Sequence, residues 1–260
     1  MKLISCCVLL SLAARSGRSF KAASFSASGV QLCRHGIASQ THTLTQVQST
    51  TAASADSSEA DVWASLDAVQ TEIRKQNQIA AEMIKLGQVD DALKAYNKII
   101  GLQENTYLFK RGVLLFLTGK YEDALKQFNR DKELWETRFE DSGTEEAIWI
   151  LACMKRMGME VTPDKVPRLE LEENRVVFNA MYKLFAGEDS EAQVIEAVKV
   201  KQGTSLEYLG QYYLGLWHES LGNVEQAKAY YQNCFENPGL DKNQDIWYYI
   251  TKCTLSGLQE

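Results

Sequence analysis

Aspartate and glutamate are absent from the first 55 residues of this 260-residue chain, and that absence divides it in two. Five of the 28 lysines and arginines fall in this stretch, leaving 23 bases against all 34 acids, a formal charge of −11 from Asp56 onward. An acidic body of this kind argues against nucleic acid or an anionic membrane as its main partner. Proline is scarce, with only Pro163, Pro167 and Pro238, so long helices are interrupted at few places. Histidine is scarcer still beyond the leader, where His218 stands alone, so neither a zinc site of the His-Glu-x-x-His kind nor an obvious Ser/His or Cys/His pair can be drawn. No Gly-x-Gly-x-x-Gly or Gly-x4-Gly-Lys-Ser/Thr motif occurs, which leaves nucleotide cofactors without support. Cysteine is concentrated in the leader as Cys6, Cys7 and Cys33, and the remaining Cys153, Cys234 and Cys253 lack Cys-x-x-Cys spacing. They are expected to be free, packed thiols.

The acid-free leader itself has two parts. Lys2 precedes an apolar run from Leu3 to Ala14, too short to span a bilayer stably but of the length of a secretory h-region. Gly17 and Ser19 offer small residues before a cut at Phe20, and the stretch that follows is rich in Ser, Thr and Ala. Residues 1–19 are therefore expected to be a signal peptide and 20–61 a transit-like, disordered leader, with a helical domain over 62–260. This arrangement resembles the bipartite plastid presequences of diatoms and other algae with complex plastids. With no second apolar run after Phe20, it implies the stroma rather than the thylakoid lumen. A plain secretory leader and a mitochondrial presequence remain the alternatives.

Beyond the leader a motif recurs. Leu86-Gly87-x-Val89-x-x-Ala92-x-x-x-Tyr96 is followed 32 residues later by Thr118-Gly119-x-Tyr121-x-x-Ala124-x-x-x-Phe128, and again by Leu221-Gly222-x-Val224-x-x-Ala227-x-x-x-Tyr231. Each copy follows an apolar helical stretch, so each unit reads as helix A, a glycine turn and helix B. Ala80, Gly112 and Gly215 on the A helices, with Ala92, Ala124 and Ala227 on the B helices, are small where the two must approach. The aromatic that ends each motif is expected to fill the space against the next helix A. Gly101 is expected to close the first helix B.

Between the second and last units the pattern is degenerate. Helical periodicity runs over Glu145 to Gly158, stops at Pro163 and Pro167, and resumes over Glu172 to Ala186 and Ala192 to Val200. Ile246 to Leu255 reads as a capping helix, since a stack of hairpins otherwise ends on an apolar face in water. Ten helices and no strand are expected.

The small and aromatic positions Gly112, Gly119, Tyr121, Ala124 and Phe128, with Gly215, Gly222, Ala227 and Tyr231, resemble the tetratricopeptide repeat (TPR) consensus. The fold implied is an all-α, TPR-like solenoid of helical hairpins. The order of two repeats, the helix around Trp149, a diverged helix ending Tyr182 to Gly187 and a last repeat from Tyr212 to Gly222 is similar to a bacterial and plant-chloroplast group of these proteins. More distantly it is similar to the lipoprotein NlpI. The resemblance covers about residues 80 to 250 and implies a scaffold for protein partners rather than an enzyme.

The inner groove of such a solenoid is lined by fixed positions of helix A. Members that clamp a C-terminal carboxylate place Lys and Asn there, whereas this chain has Asn77 with Ala81, Phe109 with Val113, and Tyr212 with Leu216. The clamp is absent, and Phe109, Val113, Phe116, Tyr212 and Leu216 are expected to form an apolar groove for an amphipathic helix or extended segment. The alternative is that the degenerate middle helices or the long first helix fill that groove themselves. Two other readings stay open: a self-associating structural module, leaving homo-oligomers open, and an enzyme hidden in the middle third, which a cleft gathering Trp149, Arg168, Glu170 and Arg175 would support. His218 is expected to be structural, and the run Glu133, Glu136, Glu140 and Asp141 a solvated helix end.

Overall fold

The structure is a computed structural model, and it describes residues 67–139 and 141–258. The chain divides into units of residues 1–71 and 72–260. The leader, with its signal and transit segments, lies outside the described residues. Of the first unit only residues 67–71 are described, where the Asp67 carboxylate accepts the Gln70 N–H at 2.8 Å and starts the first helix.

Among the described residues there are ten helices and no strand. They are α1 (Ala68–Lys85), α2 (Val89–Leu102), α3 (Phe109–Leu117), α4 (Tyr121–Phe139), α5 (Thr144–Arg156), α6 (Val176–Ala186), α7 (Glu191–Val200), α8 (Ser205–Ser220), α9 (Val224–Glu236) and α10 (Ile246–Gly257). None is long and apolar enough to cross a membrane. Neighbours pack in sequence, α3 on α4, α4 on α5, α8 on α9, and α8 also touches α5, α6 and α7. The architecture is that of a TPR-like helical solenoid.

The recurring glycine explains the hairpins. Gly87, Gly119 and Gly222 have φ of 75°, 72° and 78°, a left-handed conformation that costs a side-chain-bearing residue energy. The same two hydrogen bonds close each turn: the glycine N–H reaches the carbonyl three residues back, and the next N–H reaches five back, Gln88 to Met83 at 2.8 Å, Lys120 to Leu115 at 2.9 Å and Asn223 to His218 at 2.9 Å. This satisfies carbonyls that a helix end leaves orphaned. Gly101 does not behave this way. It lies inside α2, which continues to Leu102 and ends at Gln103, so the expectation that it closes the helix is corrected.

The seams follow from residue size. Ala80, Ala92, Ala124 and Ala227 are fully buried. A Cβ on Gly112 would lie 2.6 Å from the Phe128 ring, and one on Gly215 2.7 Å from the Tyr231 ring, so each motif aromatic rests on the glycine of its own helix A. Phe128 also reaches the following helix, stacking on Trp149 at 5.3 Å and 19°. The segment from Met157 to Arg175, which holds Pro163 and Pro167, contains no helix, and α6 begins at Val176 rather than near Glu172.

The last helix does more than cap. α10 packs on α9 and also returns to α3, and the Cys253 thiol reaches the Ile84 carbonyl at 3.8 Å. The concave side of the hairpin stack is therefore filled.

Candidate functional site

The five groove residues lie together but beneath the surface. Phe109 is 6% exposed, Phe116 1%, and Val113, Tyr212 and Leu216 are fully buried. Two of them meet α10: the Trp247 ring lies 4.9 Å from Tyr212 and 6.4 Å from Phe109, edge to face. Phe116 faces the other way, against Trp149 at 5.3 Å and Tyr121 at 5.1 Å. Occupation of the groove by the chain's own helices accounts for this burial, and the occupant is α10 with α5, not the long first helix.

Trp149 is the centre of the aromatic interior. Its ring lies within 6.3 Å of those of Phe109, Phe116, Phe128, Tyr212 and Tyr213. Its indole N–H donates to the Tyr213 hydroxyl at 3.1 Å, and that hydroxyl donates to the Glu145 carboxylate. Helix α5 buries eleven of its thirteen residues, including both Glu145 and Glu146. Acids there are tolerated because each meets a tyrosine: the Tyr107 hydroxyl donates to Glu146 at 2.6 Å. Asp131 completes this interior set. It is fully buried and accepts the Leu108 N–H at 3.1 Å and the Gln127 amide at 3.0 Å. Burial drives its carboxyl up to about 7, against the pull of those two donors and with Glu146 adding to the rise. These side chains form interior joints with no access for a substrate.

A second polar cluster lies nearer the surface. His218 of α8 stacks on Tyr230 of α9 at 5.4 Å and 13°, and its Nε2 faces Glu191 of α7 at 3.2 Å. The Tyr230 hydroxyl donates to the same Glu191 oxygen at 2.5 Å. Burial works against this carboxylate, but the bonds from Tyr230 and His218 outweigh it and hold Glu191 below its ordinary range. The cluster clasps three helices, which gives His218 a structural role.

Residues that would mark an enzymatic cleft do not converge. Trp149 is in the core, Arg168 and Glu170 are exposed, and Arg175 is paired with Glu173 at 2.5 Å. Glu136 is bound to Lys132 at 2.8 Å and Glu133 faces solvent, while the Glu140 side chain lies outside the described residues. Among the described residues no group of three His, Cys, Asp or Glu side chains is placed to hold a metal ion.

Sequence reasoning missed Asp131, Glu145, Glu191 and Trp247 as organising residues. Trp247 carried a signal, since a tryptophan on a terminal helix needs a seat. The acids carried none, because their partners stand 23 to 68 residues away. No curated protein matches the chain. Residues 209–238, which are α8 from Leu209, all of α9 and its exit, match the family model of the tetratricopeptide repeat.

Proposed function

We propose that the protein is a non-enzymatic adaptor that holds a protein partner on its stacked hairpins and works in a plastid, in the stroma. One observation carries the adaptor reading: the α8–α9 hairpin matches the tetratricopeptide repeat, a unit that typically serves as protein-binding scaffold. The hairpins turning at Gly87 and Gly119 repeat its turn bond for bond. The partner seat in this reading is the face of Phe109 and Tyr212, supported from beneath by Val113, Phe116 and Leu216. The plastid assignment rests on the acid-free, hydroxyl-rich leader behind a short apolar run.

The adaptor reading is tested by cross-linked affinity purification of the full chain from the native organelle, followed by rebuilding the complex from purified components. A saturable complex of fixed stoichiometry is expected. Recovery of nothing beyond a tag-only control, or of the chain with itself alone, overturns it. The location is tested separately by fusing residues 1–61 to a fluorescent reporter: stromal import with removal of the leader is expected, and retention in the secretory pathway or import into mitochondria overturns it.

A further inference from the structure

Helix α10 occupies the aromatic seat with few fully buried residues, while Ile246, Tyr248, Tyr249 and Leu255 pack on the core partly buried. Only Ile250, Thr251 and Thr254 of its twelve residues are buried, against twelve of sixteen in α8. Trp247 enters against Phe109, Tyr212 and Tyr213, and beside the seat Tyr248 stacks on Phe235 of α9 at 4.8 Å. Both buried threonines spend their hydroxyl protons within α10, Thr251 on the Trp247 carbonyl at 2.7 Å and Thr254 on the Ile250 carbonyl at 2.9 Å. The helix therefore leaves no unmet donor of its own there when it moves. The seat presents two polar groups to the helix, the Tyr212 hydroxyl facing Thr254 Oγ1 at 3.3 Å and the Cys234 thiol facing Thr251 Oγ1 at 3.6 Å.

The approach to α10 is an irregular connection. Asn237 to Asp245 contains no helix and includes Pro238 and Gly239; Leu240 is buried, and beyond it the chain turns on Asp241, whose carbonyl accepts the Asp245 N–H at 3.0 Å and whose carboxylate accepts the Asn243 N–H at 2.8 Å. Asp245 then starts α10 by accepting the Trp247 N–H at 2.9 Å, and it is tethered to α8 by the Tyr208 hydroxyl at 2.5 Å. An element with three buried residues, one aromatic anchor and a few polar contacts to its neighbours is of the kind that opens ahead of a core helix.

We infer that α10 is the resident occupant of the partner seat, and that the partner is a helix repeating its anchors: tryptophan, an aliphatic residue three positions on, and threonine or serine seven positions on. This rests on the adaptor reading. Trp247, Ile250 and Thr254 lie on one helical face at that spacing, the pattern by which a helix enters a groove. The hydroxyl of the last anchor satisfies Tyr212 as Thr254 does. While α10 is seated, the apparent affinity for such a helix is reduced by the fraction of molecules whose seat is open.

The test uses the full chain and a fluorescent synthetic peptide of residues 241–258. The wild-type chain is expected to bind it weakly. The Trp247→Ala chain, its helix content retained, is expected to bind the same peptide up to about 30-fold more tightly, because its own α10 no longer competes. A peptide carrying Trp247→Ala is expected to lose that gain. Hydrogen exchange of the wild-type chain gives a second measurement that needs no variant: amides of 246–257 are expected to exchange well ahead of those in α8. The inference is overturned if the variant binds no more tightly, if it loses helix beyond α10, if the α10 amides exchange together with those of α8, or if light scattering shows a second copy's α10 taking the seat while the peptide is refused. Exchange needs no natural partner, so its failure leaves the adaptor reading to another surface, whereas success without a recovered partner removes the adaptor reading alone.

Discussion

The Asp131 carboxylate of α4 accepts the backbone N–H of Leu108, the residue that leads into α3, at 3.1 Å. One helix of the second hairpin thus orders the start of the other from the inside. The cost is a carboxyl group shut off from bulk solvent: Asp131 is fully buried and its Oδ2 meets no hydrogen-bond partner in the protein. The burial that raises its pKa from 3.8 to about 7 makes the folded state hold a proton that the unfolded state gives up.

Stability is therefore expected to fall as pH rises from the ordinary carboxylate range through 7, by at most about 1.4 kcal/mol per pH unit for one proton, and the Asp131 contribution is whole only below that window. Asp131→Asn keeps an acceptor for Leu108 and removes the ionisation. Between pH 5 and pH 8 the difference in urea unfolding free energy is expected to move in favour of the asparagine variant. A difference that stays constant with pH would mean that Asp131 is not the titrating group.

Two glycines of A helices and one near the end of a B helix make a matched set. Gly112→Ala and Gly215→Ala place a methyl group under 3 Å from the Phe128 and Tyr231 rings, and overpacking of this kind costs about 1–3 kcal/mol. The gain in helix propensity, about 1 kcal/mol, does not offset it. Gly101→Ala meets nothing within 4 Å, in a helix with ordinary φ, and is expected to stabilise by up to about 1 kcal/mol. Chemical denaturation of the three variants checks the order. If all three shift the same way, the seam is not set by these contacts.

That order was readable in part before any coordinates. The small residues at Gly112 and Gly215 and the aromatics at Phe128 and Tyr231 recur at fixed spacing, and a period in sequence is a period in packing. The turn glycines carried the same information. What could not be read has no period. Trp247 meets Phe109, 138 positions earlier in the chain, and Tyr213 meets Glu145 across 68. Such pairings depend on how far the hairpin stack curves, and no local pattern encodes that. The same curvature buries Phe109, Val113, Phe116, Tyr212 and Leu216, whose apolar character fits an open groove and a filled one equally well.

The clasp of His218, Tyr230 and Glu191 is expected to weaken in acid. Glu191 sits below its ordinary range in the folded protein, so its contribution is present above the unfolded carboxylate pKa and is lost as pH falls through the folded value. Tyr230→Phe removes one of the two bonds to the carboxylate and, at a site partly open to solvent, is expected to cost under about 1 kcal/mol at neutral pH. The cost is expected to shrink below pH 4. An equal cost at pH 7 and pH 3.5 would show that what the hydroxyl contributes does not depend on the charge of Glu191.

Thiol chemistry orders the three cysteines among the described residues by the helices that cover them. All are free; Cys153 and Cys234 are buried and Cys253 is partly exposed on α10. Burial pushes every one of them up, Cys234 to about 12, so little thiolate exists at pH 8 and reaction waits on exposure. Of these three, iodoacetamide labelling of the native protein is expected to modify Cys253 first, Cys234 next as α10 lifts, and Cys153 only as the protein unfolds. Cys153 lies on α5, the helix at the centre of the aromatic interior, and Cys234 lies under α10 with its thiol 3.6 Å from the Thr251 hydroxyl. Labelling of Cys234 close behind Cys253, with Cys153 still protected, would place the weakest joint between α9 and α10. Simultaneous labelling of all three would instead show that this unit opens only as a whole.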